Sequence, residues 1–186
     1  MDPSPIIPDE VLEAAIGGYP LYPYGTHGLG HWARVLENGM RLAPLTGADP
    51  VVVALFAVLH DCRRHNEGTD PGHGRRGAEV VDQLEGRIAA LSPQGSALLR
   101  FACAHHTDGT VHDDPTLGTC WDADRLDLGR VGIRPRPGLL CTAAARDEEV
   151  IRWATERARH AAEPAFVEEY WSGFVAADRA GGPESR

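Results

Sequence analysis

The chain contains no lysine, and all 18 of its basic residues are arginine. Schiff-base chemistry and a P-loop, both of which use a lysine amine, are thereby excluded. Its four cysteines, Cys62, Cys103, Cys120 and Cys141, form no C-x-x-C pair, so neither a zinc knuckle nor a disulfide frame is expected and the thiols should be reduced. No apolar run approaches the roughly 18 residues that a membrane span needs. The N-terminus, "MDPSPIIPDE", is acidic and broken by proline where a secretory signal would be basic and then apolar, which predicts a cytoplasmic protein. Net positive charge is also missing. The formal balance of -9 argues against a surface that coats nucleic acid, yet leaves room for a small anionic substrate in a local arginine pocket.

Alternating strand patterns are absent too. Apolar residues recur instead at spacings of three and four, which predicts an all-α, single-domain helical bundle. A first helix should open at Pro8-Asp9 and stop at Gly17-Gly18, followed by the loop "YPLYPYG". A second should run from Thr26 to Ala43, and a third, capped by Asp49, from Pro50 to Arg64. The pattern continues with Gly74 to Leu91, Ser92-Pro93 to His106, the segment "TCWDADRLDLGRV", a long helix capped by Thr142 and reaching His160, and a last helix in "PAFVEEYWSGFVAADRA". Residues 1–25 then form an N-terminal helix and loop packed on the core, 26–130 the core itself, and 131–180 helices that complete the same domain. Residues 181–186 are expected to fray.

One short stretch raises the question of chemistry. The apolar run "PVVVALFAVL" ends in His60 and Asp61, and burying either group is costly without compensation. A metal ion or a His-Asp hydrogen bond would supply it. Eight of the nine histidines lie between His27 and His112. Along the expected helices, His31, His60-Asp61, His73, His105-His106 and Asp124 each fall on a different element, mostly at an end. Imidazole mixed with carboxylate suits first-row divalent metals, and a carboxylate can bridge two ions.

These residues resemble the metal-dependent hydrolases of the HD-domain superfamily, specifically the binuclear branch ordered H…HD…H…H…D. The local wording agrees. "HGLGHWARVLENG" is similar to that family's first histidine helix, "HGRRGAE" to its H-G-x-x-G-A segment, "HHTDG" to its H-T-G segment and "DADRLDLGR" to its A-D-x-x-x-x-x-R helix. The likeness spans Thr26 to Arg130. It implies an HD-domain bundle in which His31, His60, Asp61 and Asp124 hold one divalent ion (Fe, Mn, Co, Ni or Zn), while Asp61 bridges to a second ion held by His73 and His106, with His105 as an extra ligand. The twelve residues between Asp61 and His73 make a shorter interval than in most binuclear members.

The remaining candidates are weighed against plainer readings. His27, one turn before His31 on the expected helix, is either a substrate or ligand-supporting contact or a packing residue. His65 and His112 read as solvated loop residues, and Cys120 as packing against the site. Arg64 stands where phosphohydrolases of this family carry a lysine, so it is the expected phosphate clamp and, with Asp61, a catalytic candidate. Arg75 is near the motif, and Arg76 and Arg130 are expected to line the substrate pocket. Trp153, Tyr170, Trp171 and Phe174 read as core or as the seam of a homodimer. The resemblance implies a phosphohydrolase that attacks a nucleotide or other small phosphate ester with a metal-activated water. Two alternatives use the same ligand types: a di-iron oxygenase similar to myo-inositol oxygenase, and a metal-stabilised binding module without turnover.

Overall fold

A computed structural model describes residues 7–181, and among these every regular element is helical. The expected frayed tail 181–186 falls outside the described residues from position 182 onward. The α-helices are α1 (Asp9–Gly17), α2 (Leu29–Thr46), α3 (Pro50–Leu59), α4 (His73–Gln83), α5 (Pro93–His105), α6 (Pro115–Leu126), α7 (Glu148–Arg159) and α8 (Ser172–Gly181). A 3-10 turn, Asp127–Val131, continues α6, a second one covers Pro137–Leu139, and a π-turn, Val167–Trp171, leads into α8. No helix among the described residues is long and apolar enough to cross a membrane.

The bundle is organised around α3. Its sequence carries no polar side chain, and Val52 to Leu59 are all buried, so α1, α2, α4, α5 and α6 can pack on every side of it. Asp49 starts the helix by accepting from Val51 N and Val52 N, and Pro50 at the first position needs no amide partner. The principal core joins residues from Ile7 to Val175, so α1 and α8 share it with the central helices. A smaller cluster, with Leu42, Leu126, Leu140 and Ile151, packs α7 against α2 and α6.

Two glycines explain "HGRRGA". A Cβ at Gly77 would lie 2.5 Å from Leu59 O, and one at Gly74 would lie 2.3 Å from Cys103 O. Their bare backbone lets α4 cross the C-terminal ends of α3 and α5 at close range, bringing His73 to His60 and His106.

Several boundaries differ from the sequence reading. α2 starts at Leu29 behind Gly28, so His27 lies in the preceding turn and not one turn earlier on the helix. α3 ends at Leu59, and Asp61 to Arg64 form a turn with Arg64 N donating to Asp61 O. α4 stops at Gln83, and α7 is capped by Asp147 instead of Thr142, whose hydroxyl and amide both donate to the buried Asp122. Thr142 also accepts from Ala145 N, so it caps only the short turn that precedes α7.

Candidate metal centre

Two helix ends and one helix start meet at the cluster. His60 is the C-cap of α3, His106 the C-cap of α5, and His73 the first residue of α4, while His31 comes from the first turn of α2 and Asp124 from the last turn of α6. His31, His60, Asp61, His73 and His106 are all buried, with exposures of 6% or less.

The histidine tautomers follow from what each Nδ1 touches. His60 Nδ1 faces Phe56 O at 3.0 Å, His73 Nδ1 faces Asp70 O at 2.6 Å, and His106 Nδ1 faces Cys103 O at 2.8 Å. A carbonyl only accepts, so each Nδ1 must carry the proton and donate it. His31 Nδ1 donates in the same way to Asp127 Oδ2 at 2.7 Å, and Arg34 holds that carboxylate from its other side, with Nε 2.7 Å from Oδ1. All four Nε2 atoms are thereby left as lone-pair donors, the arrangement that outer partners impose on metal-ligating histidines.

The four Nε2 atoms form two groups around Asp61. On one side, His31 Nε2 and His60 Nε2 are 3.1 Å apart, each is 3.7 Å from Asp61 Oδ2, and Asp124 Oδ1 is 3.5 and 3.8 Å from them. On the other side, His73 Nε2 and His106 Nε2 are 2.9 Å apart and lie 3.1 and 3.6 Å from Asp61 Oδ1. Each Asp61 oxygen therefore serves a different histidine pair. Lone pairs and carboxylate oxygens at these spacings repel one another, and a cation held between them would turn the repulsion into coordination. The donor set fits a divalent metal.

The site electrostatics agree with that donor set. Burial, with Arg130 and His60 adding to it, holds His31 well below the usual imidazole range, and burial also lowers His60 against the opposing pull of Asp61 and Asp124. Burial pushes the Asp61 carboxyl up, but His60, His106 and His73 together outweigh it and hold the group well below the carboxylate range. Asp124 is lowered for similar reasons, burial being overcome by His60, His31 and Arg130. His106 is raised, since the Asp61 carboxylate beside it outweighs burial.

A cavity of about 490 Å³ opens on the cluster, with Asp61, His73, His106 and Asp124 in its wall together with Arg64, Arg125, Leu128 and Arg130. Arg64 is buried, and its Nη1 lies 3.4 Å from Asp61 Oδ1 and 3.2 Å from His73 Nε2. Asn66 O and Gly68 O accept from its Nε and Nη2, so the loop fixes the guanidinium against the second donor group. Arg130 reaches the same cavity with its Nε buried and without a hydrogen-bond partner.

Other expected residues stand elsewhere. His105 is exposed on α5 with its ring 4.5 Å from Phe101, so it stands outside the cluster that its neighbour His106 enters. Arg76 is not in the cavity wall, because Asp70 Oδ1 and Oδ2 take its Nη2 at 2.8 and 2.6 Å and Arg63 O takes its Nε at 2.8 Å. It braces the loop that presents His73. Arg75 is exposed. His27 donates from Nδ1 to Glu67, with its ring 6.1 Å from His31. His65 is exposed, whereas His112 is half-buried, 5.8 Å from the Trp121 ring, and accepts from Asp114 N. Cys120 is buried in the core outside the donor set, and burial raises its thiol. Trp171 is fully buried, while the Trp153 ring is covered by Arg41 and Arg157.

The sequence reading missed Asp127, Arg34, Asp70 and Arg125. A signal existed for the first two: Asp127 follows Asp124 by three residues, and Arg34 follows His31 by three, spacings that bring side chains of a helix to one face.

Compared with family models and with curated proteins, the sequence matches none at significance. Among solved structures, the chain is similar to a predicted HD superfamily hydrolase from an uncultured Thermotogales bacterium. The two are 24% identical, the superposition covers 90% of this chain and 91% of that one, and the TM-score is 0.62. The chain shares the fold of that protein, and its buried His and Asp cluster could hold a metal ion.

Proposed function

We propose that the chain is a metal-dependent phosphohydrolase acting on a nucleotide or another small phosphate ester. The observation that carries this reading is Asp61, whose two oxygens face two separate pairs of proton-free Nε2 atoms. His31, His60, Asp61 and Asp124 would hold one divalent ion, and Asp61, His73 and His106 a second. Bound there, such ions lower the pKa of water toward neutrality and neutralise phosphate oxygens. The hydrolase description of the structurally similar protein supports the same reaction class.

The chain's own residues do the rest. Asp127 and the backbone carbonyls lock the imidazoles in one tautomer, so no proton stands on the atoms that face the cavity. Arg64 presents Nη1, and Arg130 lies in the same wall, where a guanidinium can grip a phosphate through charge-assisted hydrogen bonds.

The test is metal analysis of protein purified without chelator, followed by assays of p-nitrophenyl phosphate and nucleoside phosphates with Mn²⁺, Co²⁺ or Ni²⁺. Metal-dependent release of phosphate, abolished in Asp61→Asn, is the expected result. Two irons with O₂ consumption and no phosphate release would overturn the proposal, as would inactivity with every metal.

A further inference from the structure

The cavity at the metal centre does not end at its own wall. A second cavity of about 420 Å³ shares Thr107, Asp108, Arg125 and Leu128 with it, and continues over Ile133, Pro135 and Leu139. The two cavities lie side by side across these four residues.

The second cavity has a different chemistry. Ile133 and Leu139 are large apolar residues that stay 52% and 54% exposed, and both lie in this one groove beside Leu128 and Pro135. The groove is also braced. Arg125 donates from Nη1 to Thr110 O at 2.6 Å and Leu139 O at 2.8 Å, and from Nη2 to Gly109 O at 2.6 Å, tying the loop after α5 to the segment after the 3-10 turn. A preformed groove binds without the ordering cost that a loose one carries. Of the cations at its rim, Arg134 is paired with Glu148, whereas the Arg136 guanidinium has no partner among the described residues. A free guanidinium beside branched aliphatic side chains suits a flat ring, since guanidinium stacks on aromatic planes.

We infer that this groove is the subsite for the leaving group, and that the substrate is a phosphate ester whose alcohol carries a flat aromatic or heteroaromatic ring. This rests on the phosphohydrolase reading, in which the metal-centre cavity takes the phosphate. Leu128, Ile133 and Leu139 then act as specificity-determining residues, and a nucleotide qualifies through its base.

The experiment compares two inert anions on the metal-loaded protein by calorimetry: 1-naphthylphosphonate, which has the ring, and methylphosphonate, which lacks it. The ring should tighten binding by on the order of tenfold to a hundredfold, a difference of about 1.4 to 2.8 kcal/mol. In the double variant Ile133→Ser, Leu139→Ser the ratio of the two affinities should fall toward one. Both substituted positions are exposed, so the fold should survive the change, and the wild-type ratio tests the inference without any variant. Equal wild-type affinities, or a ratio unchanged in the variant, overturn the subsite while leaving the phosphohydrolase reading intact. Binding of 1-naphthol and 1-naphthylphosphonate without turnover of any ester would have the opposite meaning, a ring subsite in a protein that is not a hydrolase. A dimer in light scattering that the double variant converts to monomer, with no loss of ring preference, would assign the apolar face to a second copy and overturn the inference.

Discussion

Replacing Asp61 by asparagine tests the centre at the residue on which both donor groups depend. The carboxylate offers Oδ2 to His31 and His60 at 3.7 Å, and Oδ1 to His73 and His106 at 3.1 and 3.6 Å. Asparagine keeps one oxygen and substitutes an amino group for the other. That NH₂ is a donor, and the Nε2 lone pairs it meets are acceptors, so the metal-free variant gains a hydrogen bond of about 1 kcal/mol and loses a buried charge. Its metal-free melting temperature should equal or exceed that of the wild type. With Mn²⁺ the order reverses. At a hundred times the dissociation constant one site contributes about 2.7 kcal/mol, and for a chain of 186 residues each kcal/mol moves the midpoint by roughly 2 to 4 °C. The wild type should therefore rise by about 5 to 11 °C, and the variant by less than half of that. Differential scanning calorimetry of both proteins, with and without Mn²⁺, decides the matter. Equal gains would refute the bridging assignment and reduce the His60-Asp61 pair to a hydrogen-bonded helix end.

Further outcomes follow from the same geometry. His73→Ala and His106→Ala should each lower bound metal from two ions to about one per chain by elemental analysis; losing both ions together, or neither, would show that these residues form no separate group. Arg64→Met should reduce kcat/KM on phosphate esters about ten- to a hundred-fold, the loss of a contact of roughly 1.5 to 3 kcal/mol, while metal content holds or rises because a cation leaves Oδ1 and His73 Nε2; unchanged kinetics would dismiss the clamp. For the thiols, burial pushes Cys62 up to about 12 and raises Cys103, Cys120 and Cys141 as well. A folded value above the unfolded one gives stability that is complete below the unfolded thiol pKa of about 8.5 and is lost as pH rises toward the folded value. Urea midpoints should fall from pH 8 upward, and a thiol reagent at pH 8 should reach at most half-buried Cys141 before unfolding; rapid labelling of three or four thiols would contradict the packing.

The helical architecture was open to a reader of the sequence because the apolar spacing of α3 and the caps Asp49 and Ser92 are local signals. The order of the candidate ligands His31, His60, Asp61, His73, His106 and Asp124 was open as well, and the fold brings these six side chains together. What stayed hidden was decided by tertiary contact. Arg76 looked like pocket lining until Asp70, six residues away and across a turn, claimed it. His105 and His106 are adjacent in sequence and differ only in the helix face they take. Asp127 and Arg34 are 93 residues apart, and their spacing from Asp124 and His31 places each near the site without saying that they meet each other. The groove beyond Leu128 joins segments around Thr107, Arg125 and Leu139, whose proximity depends on three backbone carbonyls finding one guanidinium.

His60 and His106 close α3 and α5, so two helices aim their C-termini at the same cluster. Each such end carries about half a negative charge from its aligned peptide dipoles. Added to Asp61 and Asp124, these dipoles draw cations to the donor groups, whereas Arg64 and Arg130 in the cavity wall favour anions. The consequence is one of order. Metal should load without substrate, and an ester should bind the metal-loaded protein more tightly than the metal-free one.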